Sequence, residues 1–159
     1  NLRLSLWKTP EEARKRILYG MKQCDIMKIS EEEVAFVSEQ ESLEKGVSFI
    51  RDNSDIKILF VTLGNKGSIA YYKDEKIYCG GIHQEHVVDT TGAGDTFCGA
   101  VLSRILELGT DALTEKDIRE MLLFANAAAS IVVTRKGALC SMPEPEEIRA
   151  ASSLIDKVL

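Results

Sequence analysis

Lys57-Ile58-Leu59-Phe60-Val61-Thr62 is a continuous apolar run rich in β-branched residues, and it is the stretch that most narrows the fold. A strand with no polar alternation is one covered on both faces, which places it in the middle of a largely parallel sheet. Helices must then lie on that sheet, so the sequence points to an α/β architecture.

The flanking segments read accordingly. Thr9-Pro10-Glu11-Glu12 is a helix start with proline at the first helical position, followed by Ala13, Ile17 and Met21 on one face. Cys24 to Ile29 is a short apolar strand that runs directly into Ser30-Glu31-Glu32-Glu33, a Ser-x-x-Glu capping box. Ser42 to Arg51 carries Leu43, Val47 and Ile50 on one side, with Asn53-Ser54-Asp55 ending the helix. Leu63-Gly64-Asn65-Lys66-Gly67 is a tight turn. Ser68 to Tyr72 and Lys76 to Cys79 then form a hairpin around Lys73-Asp74-Glu75. Thr114-Glu115-Lys116-Asp117 caps a helix bearing Ile118, Leu122, Ala125, Ala129 and Val132, and Glu144-Pro145 opens a last helix ending near Leu159. Asn1 to Trp7 begins without methionine, in a mixed run that reads as the exit from a strand already under way, so the chain is expected to be part of a domain.

The stretch with the most chemistry is His86 to Phe97, His-Val-Val-Asp-Thr-Thr-Gly-Ala-Gly-Asp-Thr-Phe. Val87-Val88 reads as the end of a strand, the glycines as a turn, and Thr96 to Leu108 as a helix closed by Gly109. Such a turn aims amides at a ligand, and with the helix's positive end it forms a seat for an anion. Asp95 beside that seat has two readings. As a helix cap it needs no further role; as a general base it would take the proton from a hydroxyl that attacks a phosphoryl group.

Composition limits the alternatives. At 159 residues and 45% hydrophobic content the chain can bury a core. A net charge of −5 without a basic block excludes nucleic acid as an expected partner. No apolar run reaches the ~18 residues of a membrane span, and no leader opens the chain. Cys24, Cys79, Cys98 and Cys140 are scattered without Cys-x-x-Cys spacing, which fits reduced thiols in a cytoplasmic protein. His83 and His86 have no clustered cysteine or second histidine pair, so a zinc site is not expected. Gly92-x-Gly94 has Phe97 where a dinucleotide fingerprint requires a third glycine, and no Walker-type Gly-Lys-Ser/Thr is present.

Val88 to Ala100, VDTTGAGDTFCGA, resembles the anion-hole motif of the ribokinase/PfkB family of sugar kinases, matching it from Asp89 through Asp95. The resemblance extends over nearly the whole chain. It implies the C-terminal, nucleotide-binding and catalytic part of a ribokinase-like three-layer α/β/α fold over residues 1–159, mainly parallel with a short antiparallel hairpin. It also implies Asp95 as catalytic base, with the amides of Gly92, Ala93 and Gly94 stabilising the transferred phosphate. Thr62-Leu63-Gly64-Asn65-Lys66-Gly67 is similar to the family's Thr-Leu-Gly-x-x-Gly segment, so Thr62, Gly64 and Gly67 would run beside the nucleotide; the alternative is plain hairpin chemistry. Asn126 matches a polar position near adenine, or is a partly exposed helical asparagine.

Ser30 to Glu33 matches the family's Asn-x-x-Glu, with Ser30 in place of asparagine, a nucleotide-side position by resemblance; Glu33 would organise magnesium through water, or serve only as a cap. Lys28 to Glu33 and the opening Asn1 to Trp7 look like the fructokinase branch. Thr134-Arg135-Lys136-Gly137-Ala138 is similar to the segment that wraps a monovalent cation. By that resemblance Val132, Arg135, Gly137 and Ser141 would join Asp89 and Thr91 around potassium; otherwise the segment is a glycine-centred helix exit. The implied activity is ATP-dependent phosphorylation of a sugar hydroxyl, D-fructose to fructose 6-phosphate, with ATP, Mg2+ and K+. Ribose, adenosine or keto-deoxygluconate are alternative acceptors, and a non-catalytic nucleotide-binding fragment is the alternative to an enzyme. The expected partners are sugar and ATP, with no membrane, and the resemblance allows a homodimer of the full-length protein. The family's earlier half supplies most of the sugar site and a lid, so residues 1–159 alone are expected to be a poor or inactive enzyme.

Overall fold

The computed structural model describes residues 2–155, with four strands and six α-helices in an α/β arrangement. The sheet order is β1 (Ile26–Ser30), β2 (Ile58–Thr62), β3 (Gly67–Tyr72), β4 (Glu75–Gly80). The chain divides into two compact units, one reaching from the N-terminal region to Thr62 and including Tyr71–Asp74, the other comprising Leu63–Ala70 and the chain from Glu75 onward.

In the first unit, Thr9 caps α1 (Pro10–Met21) by accepting the Glu12 amide at 3.1 Å. β1 (Ile26–Ser30) leads without a gap into α2 (Glu31–Ser38), α3 (Leu43–Asp52) follows from its cap Ser42, and β2 (Ile58–Thr62) closes the unit. β1 and β2 are parallel, in register from Ile26 opposite Ile58 to Ser30 opposite Thr62. Ile58, Leu59, Phe60 and Val61 are all buried, as a strand without alternation requires. Arg14 on α1 donates its Nε–H to Val37 O at 2.8 Å, pairs with Glu39 and lies over the Phe49 ring, tying three helices with one side chain.

The second unit holds most of β3 (Gly67–Tyr72), β4 (Glu75–Gly80), α4 (Ala93–Leu108), α5 (Glu115–Val132) and α6 (Pro145–Ile155). Lys73-Asp74 is the entire link between β3 and β4, and a two-residue link obliges the strands to run antiparallel. Thr114 and Asp117 form a reciprocal capping box on α5. α5 packs along α4, burying Phe97, Val101 and Ile105 of α4, with Ala125, Ala127 and Ala128 of α5 fully buried.

One expectation is corrected. Val87-Val88 is not the end of a strand: residues 81–90 are irregular, both valines are 59% exposed, and the Val88 amide bonds to Val133 O at 2.8 Å, past the end of α5. In the run read as leaving a strand, Leu4–Leu6 is a single 3-10 turn, closed by Leu6 N to Arg3 O and Trp7 N to Leu4 O, each 3.0 Å. The Asn1 end of that segment and the close of the last helix near Leu159 lie outside the described residues. Among the described residues no helix is long and apolar enough to cross a membrane.

Candidate active site

The turn into α4 is built around Gly92. It occupies the helix N-cap position with φ 86°, a left-handed conformation that only glycine adopts readily, and no side chain caps the helix. Asp95 is therefore not the cap. It is the third helical residue and is exposed in the first turn, where a carboxylate meets the helix's positive end. The Ala93 amide closes back on Thr90 O at 3.3 Å. Among the described residues the amides of Gly92 and Gly94 bond to no protein oxygen. Among the described residues two of the three amides expected to receive an anion thus have no protein partner, and the third is already engaged.

Asp89 holds this turn to the chain beyond α5. One carboxylate oxygen accepts the Thr91 amide at 2.9 Å and the other the Gly137 amide at 3.4 Å. The hydrogen bond from the Thr91 amide does most to hold the Asp89 carboxyl below the ordinary aspartate range, so it is ionised at neutral pH. Ser141 is buried and donates to the carbonyls of Gly137 and Ala138. The structure thus brings Asp89, Thr91, Gly137 and Ser141 into one linked cluster. Val132 O is taken by the Arg135 amide at 3.0 Å, and the Arg135 guanidinium is bound to Glu147.

The turn after β2 is a 3-10 segment, Gly64–Lys66, closed by the Leu63 amide on Gly67 O at 2.8 Å. Gly67 has φ 106°, and a Cβ there would lie 2.1 Å from Cys79 O. Asn126, expected near adenine, is buried at 7% exposure. Its Oδ1 accepts the Ser68 hydroxyl at 2.9 Å, and its amide nitrogen donates to Cys79 O and Gly80 O, both at 3.2 Å. Ser68 is the residue that sequence reasoning missed. It stood in a strand pattern with nothing to distinguish it from a solvated serine.

In the other unit, Ser30 and Thr62 are register partners at the carboxyl ends of β1 and β2, the edge of an open α/β sheet where ligands gather. Ser30 and Glu33 form the reciprocal capping box, and the second Glu33 oxygen accepts the Leu2 amide at 2.6 Å. Partial burial pushes the Glu33 carboxyl up, but the amides of Ser30 and Leu2 together outweigh it and the net shift is downward. A group whose folded pKa is depressed stabilises above its unfolded pKa, here 4.5, and loses that contribution as pH falls through the folded value. Glu33→Gln is expected to lower stability by about 1 kcal/mol at neutral pH, with the gap closing below the ordinary glutamate range. Urea midpoints across that window check it; a gap that persists in acid would show that charge is not the cause.

As for metals, no group of three or more His, Cys, Asp or Glu side chains able to hold an ion is found among the described residues. The cluster at Asp89 has the donor chemistry of a hard monovalent cation, an ionised carboxylate with backbone carbonyls nearby, and Glu33 fits only an ion reached through water.

Residues 1–145 match the family model described as pfkB family carbohydrate kinase. The chain is 41% identical over 150 residues to fructokinase-1 of Oryza sativa subsp. japonica, covering 93% of this chain and 46% of that protein. A fructokinase double mutant from Vibrio cholerae O395, solved with fructose, ADP and potassium ion bound, superposes with a TM-score of 0.84 at 31% identity, over 94% of this chain and 47% of that one. A putative ribokinase II from E. coli in complex with ATP and Mg2+ gives 0.80 at 28% identity, over 97% of this chain and 47% of that one. The chain therefore spans about half the length of these relatives. With a ribokinase-like α/β fold and a glycine-capped helix carrying Asp95 at its start, it belongs to the pfkB family of carbohydrate kinases.

Proposed function

We propose that the protein containing this chain transfers the terminal phosphoryl group of ATP to a sugar hydroxyl, with D-fructose the favoured acceptor and residues 1–159 the nucleotide-binding and catalytic part. The observation that carries the reading is the start of α4. Gly92 takes the cap position, the amides of Gly92 and Gly94 are open, and Asp95 stands in the first turn without being needed as a cap. In this reading Asp95 accepts the proton of the attacking hydroxyl as the oxygen bonds to phosphorus. The open amides stabilise charge on the transferred group, and ADP leaves.

Thr62, Ser30 and the Gly64–Gly67 turn are assigned to the nucleotide. Magnesium would be reached through water by Glu33 and would neutralise phosphate charge. Potassium would be held by Asp89 with Thr91, Gly137 and Ser141, supported by the Arg135 segment, and would steady the loop electrostatically. Fructose is favoured over ribose, adenosine or keto-deoxygluconate by the resemblance to fructokinases.

The test is a coupled ADP assay of the full-length protein against a sugar panel, beside residues 1–159 alone. The full-length protein should form ADP in the presence of fructose, and the shorter chain should form little. No sugar-dependent ADP from the full-length protein would remove the kinase reading.

A further inference from the structure

Asn126 and Ser68 do something the nucleotide reading of α5 does not require. Both are buried, and they bond to each other across 58 residues of sequence. The two N–H bonds of the Asn126 amide have backbone acceptors at the end of β4, Cys79 O and Gly80 O, so no donor remains for a ligand. The Ser68 hydroxyl, on the second residue of β3, donates to the remaining oxygen. One amide group on a long helix therefore fixes the start of one strand and the end of the next.

What lies directly against those strand ends is the Gly64–Lys66 turn. A Cβ on Gly67 would meet Cys79 O at 2.1 Å and Gly80 C at 2.6 Å, and one on Gly81 would meet Asn65 O at 2.2 Å. The Gly81 amide donates to Lys66 O at 3.1 Å, and the Tyr78 hydroxyl donates to the same carbonyl at 2.7 Å. Backbone is packed on backbone, with no side chain between to absorb a shift. Any movement of Cys79 and Gly80 must pass to Asn65 and Gly67.

We infer that Asn126, with Ser68, is a positioning residue that sets the Gly64–Gly67 turn from behind through the carbonyls of Cys79 and Gly80, rather than a residue that touches the nucleotide. The inference rests on the proposed reading of that turn as the nucleotide's neighbour. It makes the polar position in α5 part of the scaffold of the site, and it assigns Ser68 a role in the same device.

The test uses the full-length protein carrying Asn126→Ala, with Ser68→Ala as the milder variant should the first not fold. Amide exchange without nucleotide is followed at Leu63 and Gly81, which bond to Gly67 O and Lys66 O. In Asn126→Ala exchange at both amides should rise on the order of ten-fold, as expected when a buried polar tie is lost. The KM for ATP should rise by about the same factor with kcat within about three-fold, the signature of lost binding rather than lost chemistry. Ser68→Ala should move both quantities the same way by less, and the preference for ATP over GTP should be kept. Unchanged exchange at Leu63 and Gly81 with lost ATP preference would overturn the inference in favour of direct contact. Faster exchange with an unchanged KM would instead overturn the assignment of the turn to the nucleotide, and with it the positioning role, while leaving Asp95 chemistry to its own test.

Discussion

Asp95→Asn in the full-length protein is expected to reduce kcat by about 10²–10⁴-fold, the range that a positioned general base contributes. ATP affinity should not fall. The substitution keeps shape and removes a negative charge beside the open amides of Gly92 and Gly94, so binding of a polyanion should hold or tighten. Stability should also change little, because Asp95 is exposed and the cap position belongs to Gly92. Steady-state kinetics with fructose and ATP, together with ATP titration of the variant, separate these effects. Near-normal turnover would mean that the proton leaves by another route, whereas a parallel loss of kcat and ATP affinity would mean that Asp95 holds the loop rather than the proton.

The second large effect is expected at Gly67. Alanine there would force a Cβ to 2.1 Å from Cys79 O and 2.5 Å from the Gly81 amide nitrogen, at φ 106°. Neither neighbour is the end of a flexible side chain, so the strands must separate. Adding backbone strain to overpacking, the expected loss is about 3–5 kcal/mol, with nucleotide affinity lost alongside. Gly64 is the internal comparison, because its φ is 61° but a Cβ there would meet nothing within 4 Å. Gly64→Ala should lose only the ~1–2 kcal/mol of left-handed strain. Chemical unfolding of the two variants decides the matter; equal losses would show that conformation, not the close approach to β4, governs this turn.

Much of the fold was legible because its signals are local. The cap residues Thr9, Ser30, Ser42 and Thr114 each announced a helix that begins where they stand, and the uniform run before Thr62 announced a buried parallel strand. Val87-Val88 misled for the opposite reason. A pair of β-branched residues is strand-like only if another strand lies alongside, and the neighbour that this segment finds is the end of α5. At the site, the glycine turn could be read in the chain because left-handed backbone restricts residue choice. Its precise set of open amides could not, since the Thr90 carbonyl that engages Ala93 is common to every residue type. Asn126 was visible as a polar residue among alanines, but its partners Ser68, Cys79 and Gly80 are remote in sequence and contribute mostly backbone, which carries no signature.

The buried alanines of α5 have a consequence for how this protein can vary. Ala125, Ala127 and Ala128 carry no exposed surface, on a helix that packs against α4, β4 and α6, so a longer side chain at any of the three would overfill a closed interior. Drift in this stretch is therefore confined to the smallest side chains, while the outward face of α4, where Leu106 is 88% exposed, is free to change with lineage. Divergent copies should keep small residues at these three positions long after their surfaces have ceased to look alike.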